Sequence, residues 1–419
     1  MNDAARKVQR TYLLLTLLST LATSFIWGIN TLFLLDAGLS NAEAFTANAF
    51  FAVGQVLFEV PTGVVADSRG RRLSFLLGTA TLLVSTILYL VMWQISAPLW
   101  GWAIASILLG LGFTFFSGAM EAWLVDALNH TGYTGDLESV FARGQVVGGA
   151  AMLTGSVAGG VIAQVTNLGV PYLLRTAMLL LAFGAAFIYM RDLGFTPVKG
   201  VSTRDQVRHI IRASVDNGLK NRPVRWIMLA APFTSGVAYY AFYAMQPYLL
   251  NLWGDETAFG IVGLAAAIVA GAQILGGLLV TRIRRYFVHR THALLLATAG
   301  SVAALIGVGL TDNFWVAITF IVLWALLYSM AFPMRQAYIN ALIPSEQRAT
   351  VLSFDALIGS AGGVVTQPVL GRVADVNGYG ASYLVSAVVE GLAIPFIALA
   401  HRERAQADVI LHDEALIPD

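Results

Sequence analysis

The sequence predicts an all-α integral membrane protein of twelve transmembrane helices, arranged as two six-helix pseudo-repeat halves. Three observations predict it. Of 419 residues, 57% are hydrophobic and 12% charged, with a mean hydropathy of +0.72, which leaves too little polar surface to cover a soluble core. Apolar runs of roughly 20 residues or more, enough to cross a hydrocarbon layer about 30 Å thick, follow one another along the chain. The second half also resembles the first at a fixed shift. A β-barrel would show weak alternating segments of about ten residues instead.

The first six spans are expected at Thr11–Leu35, Ala42–Ala66, Leu73–Ile95, Leu99–Leu128, Ser139–Thr166 and Pro171–Met190. Six more follow at Val224–Trp253, Glu256–Thr281, His292–Leu310, Asn313–Ala341, Ala349–Val373 and Ala381–Ala400. The chain therefore divides into a first half (1–190), a linker (191–223), a second half (224–400) and a tail (401–419). Within the linker, Val207, Ile210, Ile211 and Val215 fall on one helical face among basic residues. That pattern predicts a helix lying on the inner membrane surface, with a loose tether as the alternative.

Lys and Arg collect in short cytoplasmic loops. With the N-terminus inside, 21 of the 25 Lys and Arg lie on the cytoplasmic side; the other four are Arg175 and Arg372 near the outer face and the embedded Arg143 and Arg335. Both termini are then cytoplasmic, in the cell (inner) membrane. Arg6, Lys7 and Arg10 lead into a full-length span rather than a cleavable signal. There is no Cys, and the six His lack metal-ligand spacing. The sequence shows no nucleophile with its base and no phosphate loop, so no enzyme, cofactor or nucleic-acid partner is expected.

At a shift of 214 residues, Ala44-Phe45 meets Ala258-Phe259, and AMEAWLVDAL (Ala119–Leu128) meets PMRQAYINAL (Pro333–Leu342). Beyond the next loop the shift is 211, and Gly148 meets Gly359 while Gly160 meets Gly371. Duplication with a site between the repeats is a common plan of secondary transporters.

GVVADSRGRR (Gly63–Arg72), between spans 2 and 3, matches the loop signature G-x-[LV]-A-D-x-x-G-R-[RK] of the major facilitator superfamily, and PSEQRAT (Pro344–Thr350) precedes span 11. The whole chain resembles that superfamily, in particular its twelve-span drug:proton antiporters. In physical terms, Gly63 permits close helix packing, Gly70 a tight turn, and Arg69, Arg71 and Arg72 favour the inner lipid surface. The positive N-terminal end of span 11 suits the Asp67 carboxylate from the opposite half. The resemblance implies that this contact latches the halves in the outward-open state; capping of its own loop is the alternative. Thr281 stands at the matching position of the second half, so the latch is one-sided.

Embedded ionisable groups mark pathways and gates. Glu121 and Asp126 are separated by about 140° around a helix and about 7.5 Å along it. Asp126 belongs with the latch, opposite Arg69 or Arg71, and Glu121 needs a deeper partner. The repeat aligns Glu121 with Arg335 and sets Arg143 one residue from the position matching Asp355. Either Glu121–Arg143 and Arg335–Asp355 pair within halves, or Glu121 and Arg335 pair across the cavity. Protonation would break such a pair and couple a proton to the switch; static packing pairs are the alternative. Glu59 connects cavity to latch or hydrogen-bonds a neighbouring helix. Glu390, in span 12, is expected to be peripheral, with a local hydrogen bond or a protonated, lipid-facing carboxyl.

The resemblance implies that spans 1, 4, 7 and 10 line the cavity. Trp27, Asn30, Phe116, Tyr239, Tyr243, Gln246, Trp324, Tyr328 and Phe332 then face the substrate, a lining suited to hydrophobic or amphipathic molecules. The expected function is proton-coupled efflux of such molecules by a monomer in the lipid bilayer. The alternatives are a proton-coupled importer or exchanger of a polar metabolite and a non-transporting receptor or scaffold. The antiporter signature is damaged: Ser106 stands where span 4 would carry Arg, and Ser156 replaces Pro in GSVAGG (Gly155–Gly160).

Overall fold

The computed structural model describes residues 3–197, 212, 215–344 and 348–410, except for the side chains of 217, 281, 349 and 350. The predicted linker stripe at Val207, Ile210 and Ile211 lies outside the described residues; Val215 begins a short π-helical turn, Val215–Leu219. Among the described residues the chain is helical apart from loops and one isolated bridge, His289 to Val409.

Spans 2 and 3 are the helices Asn41–Arg69 and Arg71–Gln94, and spans 5 and 6 are Leu137–Val165 and Val170–Tyr189. Spans 7 to 10 are Arg222–Trp253, Phe259–Ile283, Arg290–Leu310 and Phe314–Leu342. Spans 11 and 12 run together from Arg348 to Gly391, interrupted at Gly378 (φ 82°, ψ 169°), and end in the helix Ala393–Arg402. The apolar run Val351–Arg402 has 52 residues, or about 78 Å of helix, enough for two crossings.

Two spans expected to be continuous are broken. Span 1 consists of Asp3–Trp27 and Asn30–Asp36, bent by 49°. Span 4 consists of Leu99–Thr114 and Ala119–His130. Hydropathy runs unbroken through Phe115–Gly118, but Gly118 adopts φ 65°, a left-handed value that glycine reaches without strain. One carbonyl freed by the break is satisfied locally, Ser74 Oγ donating to Phe115 O (2.8 Å), and Ser117 Oγ within the break donates to Glu59 Oε1 of span 2 (2.7 Å). A break inside a bilayer persists only where such substitutes exist.

The chain forms two compact units, one of residues 1–206 with 255–267, the other of 207–254 with 268–419. The division thus differs from a cut at the linker, because the start of span 8 packs with the first unit. A Cβ on Gly160 would lie 2.5 Å from the Phe259 carbonyl oxygen, and the Gly260 amide donates to Gln164 Oε1 at 2.9 Å.

Inside each unit, corresponding spans touch through glycine. Span 5 meets span 1 where a Cβ on Gly159 would fall 2.0 Å from the Phe25 oxygen, and span 11 meets span 7 where one on Gly362 would fall 2.1 Å from the Pro232 oxygen. Spans 4 and 2 meet at Gly110 and Gly54, and spans 10 and 8 meet at Gly276. Small residues at helix contacts allow this approach where lipid offers no hydrophobic drive. Gly63 departs from expectation: no atom lies within 4 Å of a Cβ built there, so it packs no helix among the described residues.

The tail folds back on the second unit. The Ile410 amide donates to the Val288 carbonyl (2.8 Å), and Asp408, 1% exposed, accepts from the amide and hydroxyl of Thr291 (2.8 and 2.7 Å). Asp408 therefore caps span 9 from outside its own helix.

Gly110→Val should destabilise the protein by about 1–3 kcal/mol, because the added methyls meet backbone at the span 2 contact. Gly63→Ala should leave the melting temperature in detergent unchanged.

Candidate functional site in the helical bundle

The second unit holds a cavity of about 70 Å³. Three spans reach it with one helical face each, at i, i+3 or i+4, and i+7. Span 7 contributes Ile227, Ala230 and Thr234, span 9 Leu294, Ala297, Thr298 and Ser301, and span 10 Tyr328, Ala331, Phe332 and Arg335. Ser235 joins from span 7, and span 12 completes the wall with Glu390 and Ile397. The wall is apolar and aromatic, with hydroxyls and two ionisable groups.

Arg335 makes a bidentate ion pair with Asp355 of span 11, and its Nη2 also reaches the Ile227 carbonyl at 3.4 Å. Asp355 is 2% exposed and the Arg335 side chain 17%. Guanidinium and carboxylate match in shape, so the pair satisfies both groups where no water is available. This is the within-half arrangement that the mirrored charges allow.

The first unit does not reproduce it. Glu121 and Arg143 are both exposed, and no ion pair joins them among the described residues. The break in span 4 explains how an acid tolerates this position: Glu121 sits not in mid-helix but in the first turn of Ala119–His130, where unpaired amides and the helix dipole favour a carboxylate. It lies within electrostatic reach of Tyr12, which packs against Gly144, the neighbour of Arg143. Glu59 accepts the Ser117 hydroxyl and so joins span 2 to the break.

At the motif loop, Gly70 has φ +108°, as a tight turn requires. Asp67 pairs with Arg71 at 2.7 Å. The expected partnership of Asp126 with Arg69 or Arg71 does not form among the described residues, because Arg71 is engaged by Asp67. Arg72 is half-buried: its guanidinium donates to the Phe187 carbonyl (2.6 Å), and its amide donates to Asp192 Oδ1 (2.8 Å).

The expected cavity residues divide. Tyr328 and Phe332 line the cavity, and Phe332 is 54% exposed. Trp324, 1% exposed, stacks on Tyr328 with centroids 5.9 Å apart. Trp27, Tyr239 and Tyr243 are half-buried, Tyr239 lying against Gly363. Phe116 packs edge-on against Phe75 in the first unit's core. Asn30 and Gln246 are corrections. Asn30 is buried, giving its amide to Asn48 (2.9 Å) and accepting from Tyr172 (3.0 Å), and Gln246 exposes no surface. A side chain sealed within one unit presents nothing to a substrate. Arg175 is likewise buried, donating to Thr86 and the Ala22 carbonyl.

Of the two readings offered for Glu390, a local hydrogen bond or a lipid-facing carboxyl, the second is corrected: Glu390 is 2% exposed, turned into the cavity and flanked by Ser301 and Trp324. Pro395 offers no amide to the Gly391 carbonyl, so span 12 loses one helical hydrogen bond beside the acid while Leu392 keeps helical angles.

Removing one partner of the buried pair strands the other's charge, so Arg335→Ala or Asp355→Ala should cost about 3–5 kcal/mol. The double change Arg335→Met with Asp355→Leu should recover most of it, as read by thermal unfolding in detergent.

The family profile of the Major Facilitator Superfamily matches residues 12–300 and 287–415. An uncharacterized MFS-type transporter of Bacillus subtilis (strain 168), YxaM, is 22% identical over 360 residues, covering 83% of this chain and 84% of that protein. Among solved structures, the nucleoside transporter NupG superposes with a TM-score of 0.74 at 10% identity, covering 95% of this chain and 99% of that one. A bacterial homolog to the human lysosomal transporter Spinster gives 0.71 at 16% identity, with coverage of 98% and 100%. A D-xylose-proton symporter gives 0.68 at 14%, with coverage of 94% and 97%. With its whole helical plan and its loop motif accounted for, the chain belongs to the major facilitator superfamily of membrane transporters.

Proposed function

We propose that this transporter exports hydrophobic or amphipathic small molecules in exchange for protons, by alternating access, as a monomer in the cell (inner) membrane with cytoplasmic termini. The observation that carries the reading is the set of apolar and aromatic helix faces around the Arg335–Asp355 pair, which enclose only a water-sized space of about 70 Å³ here and would meet a substrate in a more open state of the transport cycle. An apolar wall gains free energy by covering apolar surface, and the rings of Tyr328 and Phe332 also accept cationic groups. A proton on Asp355 would neutralise one partner and free Arg335, giving the wall two electrostatic states.

In the first unit, Glu121 and Glu59 both adjoin the break in span 4, so protonation there acts on a hinge. Arg143, beside the Tyr12 contact, supplies the opposite charge. Gly70, Asp67 and Arg71 form the loop latch, with Asp126 at its edge. Trp27, Tyr239 and Tyr243 extend the aromatic lining.

Cells expressing the protein should accumulate less of a lipophilic cation such as ethidium than control cells. A protonophore should remove the difference, and Asp355→Asn, expressed at the same level, should abolish it. Uptake of a polar solute would replace this reading with import. No movement of any member of a chemically diverse panel would replace it with a receptor or scaffold.

A further inference from the structure

Glu390 is the polar group that the ion pair leaves unexplained. It is 2% exposed, it lines the cavity, and its Oε2 completes no hydrogen bond. Ser301 and Trp324 flank the carboxyl, and Trp324 Nε1 also lacks a completed hydrogen bond. A buried carboxyl whose neighbouring N–H and O–H groups leave its Oε2 without a completed bond is costly in a static packing element, where hydrocarbon would serve better.

The charges facing it can be stated for every packed element. Span 10 presents Tyr328 and Arg335, and Arg335 is closed on Asp355 of span 11. Spans 7 and 9 present hydroxyls and apolar groups, and Ile397 is the other cavity residue of span 12. Among the described residues, the one cation at the cavity is therefore already neutralised, and an ionised Glu390 would stand in low dielectric without a counter-charge. Bound to a proton it is neutral, and its O–H can donate. The cavity, at about 30 Å³ of liquid volume per water, accommodates about two waters that would receive that proton.

We propose that Glu390 is a proton-binding group of the second unit, taking up and releasing one proton within this cavity during transport. On release the Glu390 O–H bond breaks, the proton passes to cavity water, and the new carboxylate competes with Asp355 for Arg335. Two acids then share one guanidinium, and the proton decides which of them holds it. Phe332, on the same wall and half-exposed, marks where the cavity reaches the surface of the unit. The part of this proposal that concerns transport rests on the proton-coupled reading above, whereas the proton-binding itself does not.

The full-length protein in detergent is examined by infrared difference spectroscopy between acid and alkaline buffer. A carboxylic-acid C=O band that changes with pH in the wild type, is lost in Glu390→Gln and returns at a shifted position in Glu390→Asp is the expected result. An unchanged melting profile shows that the variants are folded. Persistence of every such band in folded Glu390→Gln overturns the assignment.

In proteoliposomes, ethidium counterflow needs no net proton movement, whereas accumulation driven by a pH gradient does. Glu390→Gln should keep the first and lose the second. A variant that retains gradient-driven accumulation at the wild-type rate refutes the role in transport. Absence of gradient-driven accumulation in the wild type itself, with the Glu390 band still present, refutes the proton-coupled reading and leaves the proton site standing.

Discussion

Inside a bilayer, a backbone or side-chain polar group that leaves its helical partner finds no water to replace it, and most of this structure follows from that constraint. Helices are continuous where nothing compensates a gap and broken where a substitute is at hand. Ser74 takes the Phe115 carbonyl, Ser117 takes Glu59, and Asn30, at the start of the second helix of span 1, is tied to Asn48 and Tyr172. The same constraint makes the Arg335–Asp355 pair bidentate and draws Arg175 toward hydroxyl and carbonyl oxygens of its own unit. Rigidity and bending are thereby distributed by a few serines, asparagines and glycines rather than by hydropathy.

Close backbone approach is the second organising feature. The repeat seen in the sequence reappears as equivalent contacts, span 1 with span 5 and span 7 with span 11, each through a glycine with no room for a Cβ. Equivalent packing does not bring equivalent chemistry. The second unit keeps a buried ion pair and a mostly apolar cavity that holds Glu390, while the first leaves Glu121 and Arg143 exposed beside a broken helix.

The spans were legible because burial in lipid demands a long apolar run wherever the chain crosses, and the Gly70 turn because few other residues tolerate its backbone angles. The Arg335–Asp355 pair was legible from the sign pattern of two aligned repeats. The breaks in spans 1 and 4 were not, since hydropathy continues through Gly28 and Phe115 and only the placement of nearby serines and asparagines distinguishes a break from a turn of helix. Asn30, Gln246 and Glu390 were misplaced for a related reason. Hydropathy and family likeness assign a residue to a span, but the rotation of that span decides whether the side chain meets a neighbouring helix or a cavity. Gly63 shows the converse, a small residue that reads as a packing site yet meets no neighbour among the described residues.

The cap that Asp408 places on Thr291 spans 117 positions of sequence. Membrane helices are inserted in order as the chain is made. The first turn of span 9 therefore acquires its side-chain cap only after three further spans have been synthesised. The tail thus acts as a clasp on the second unit, tying the start of span 9 to the segment beyond span 12.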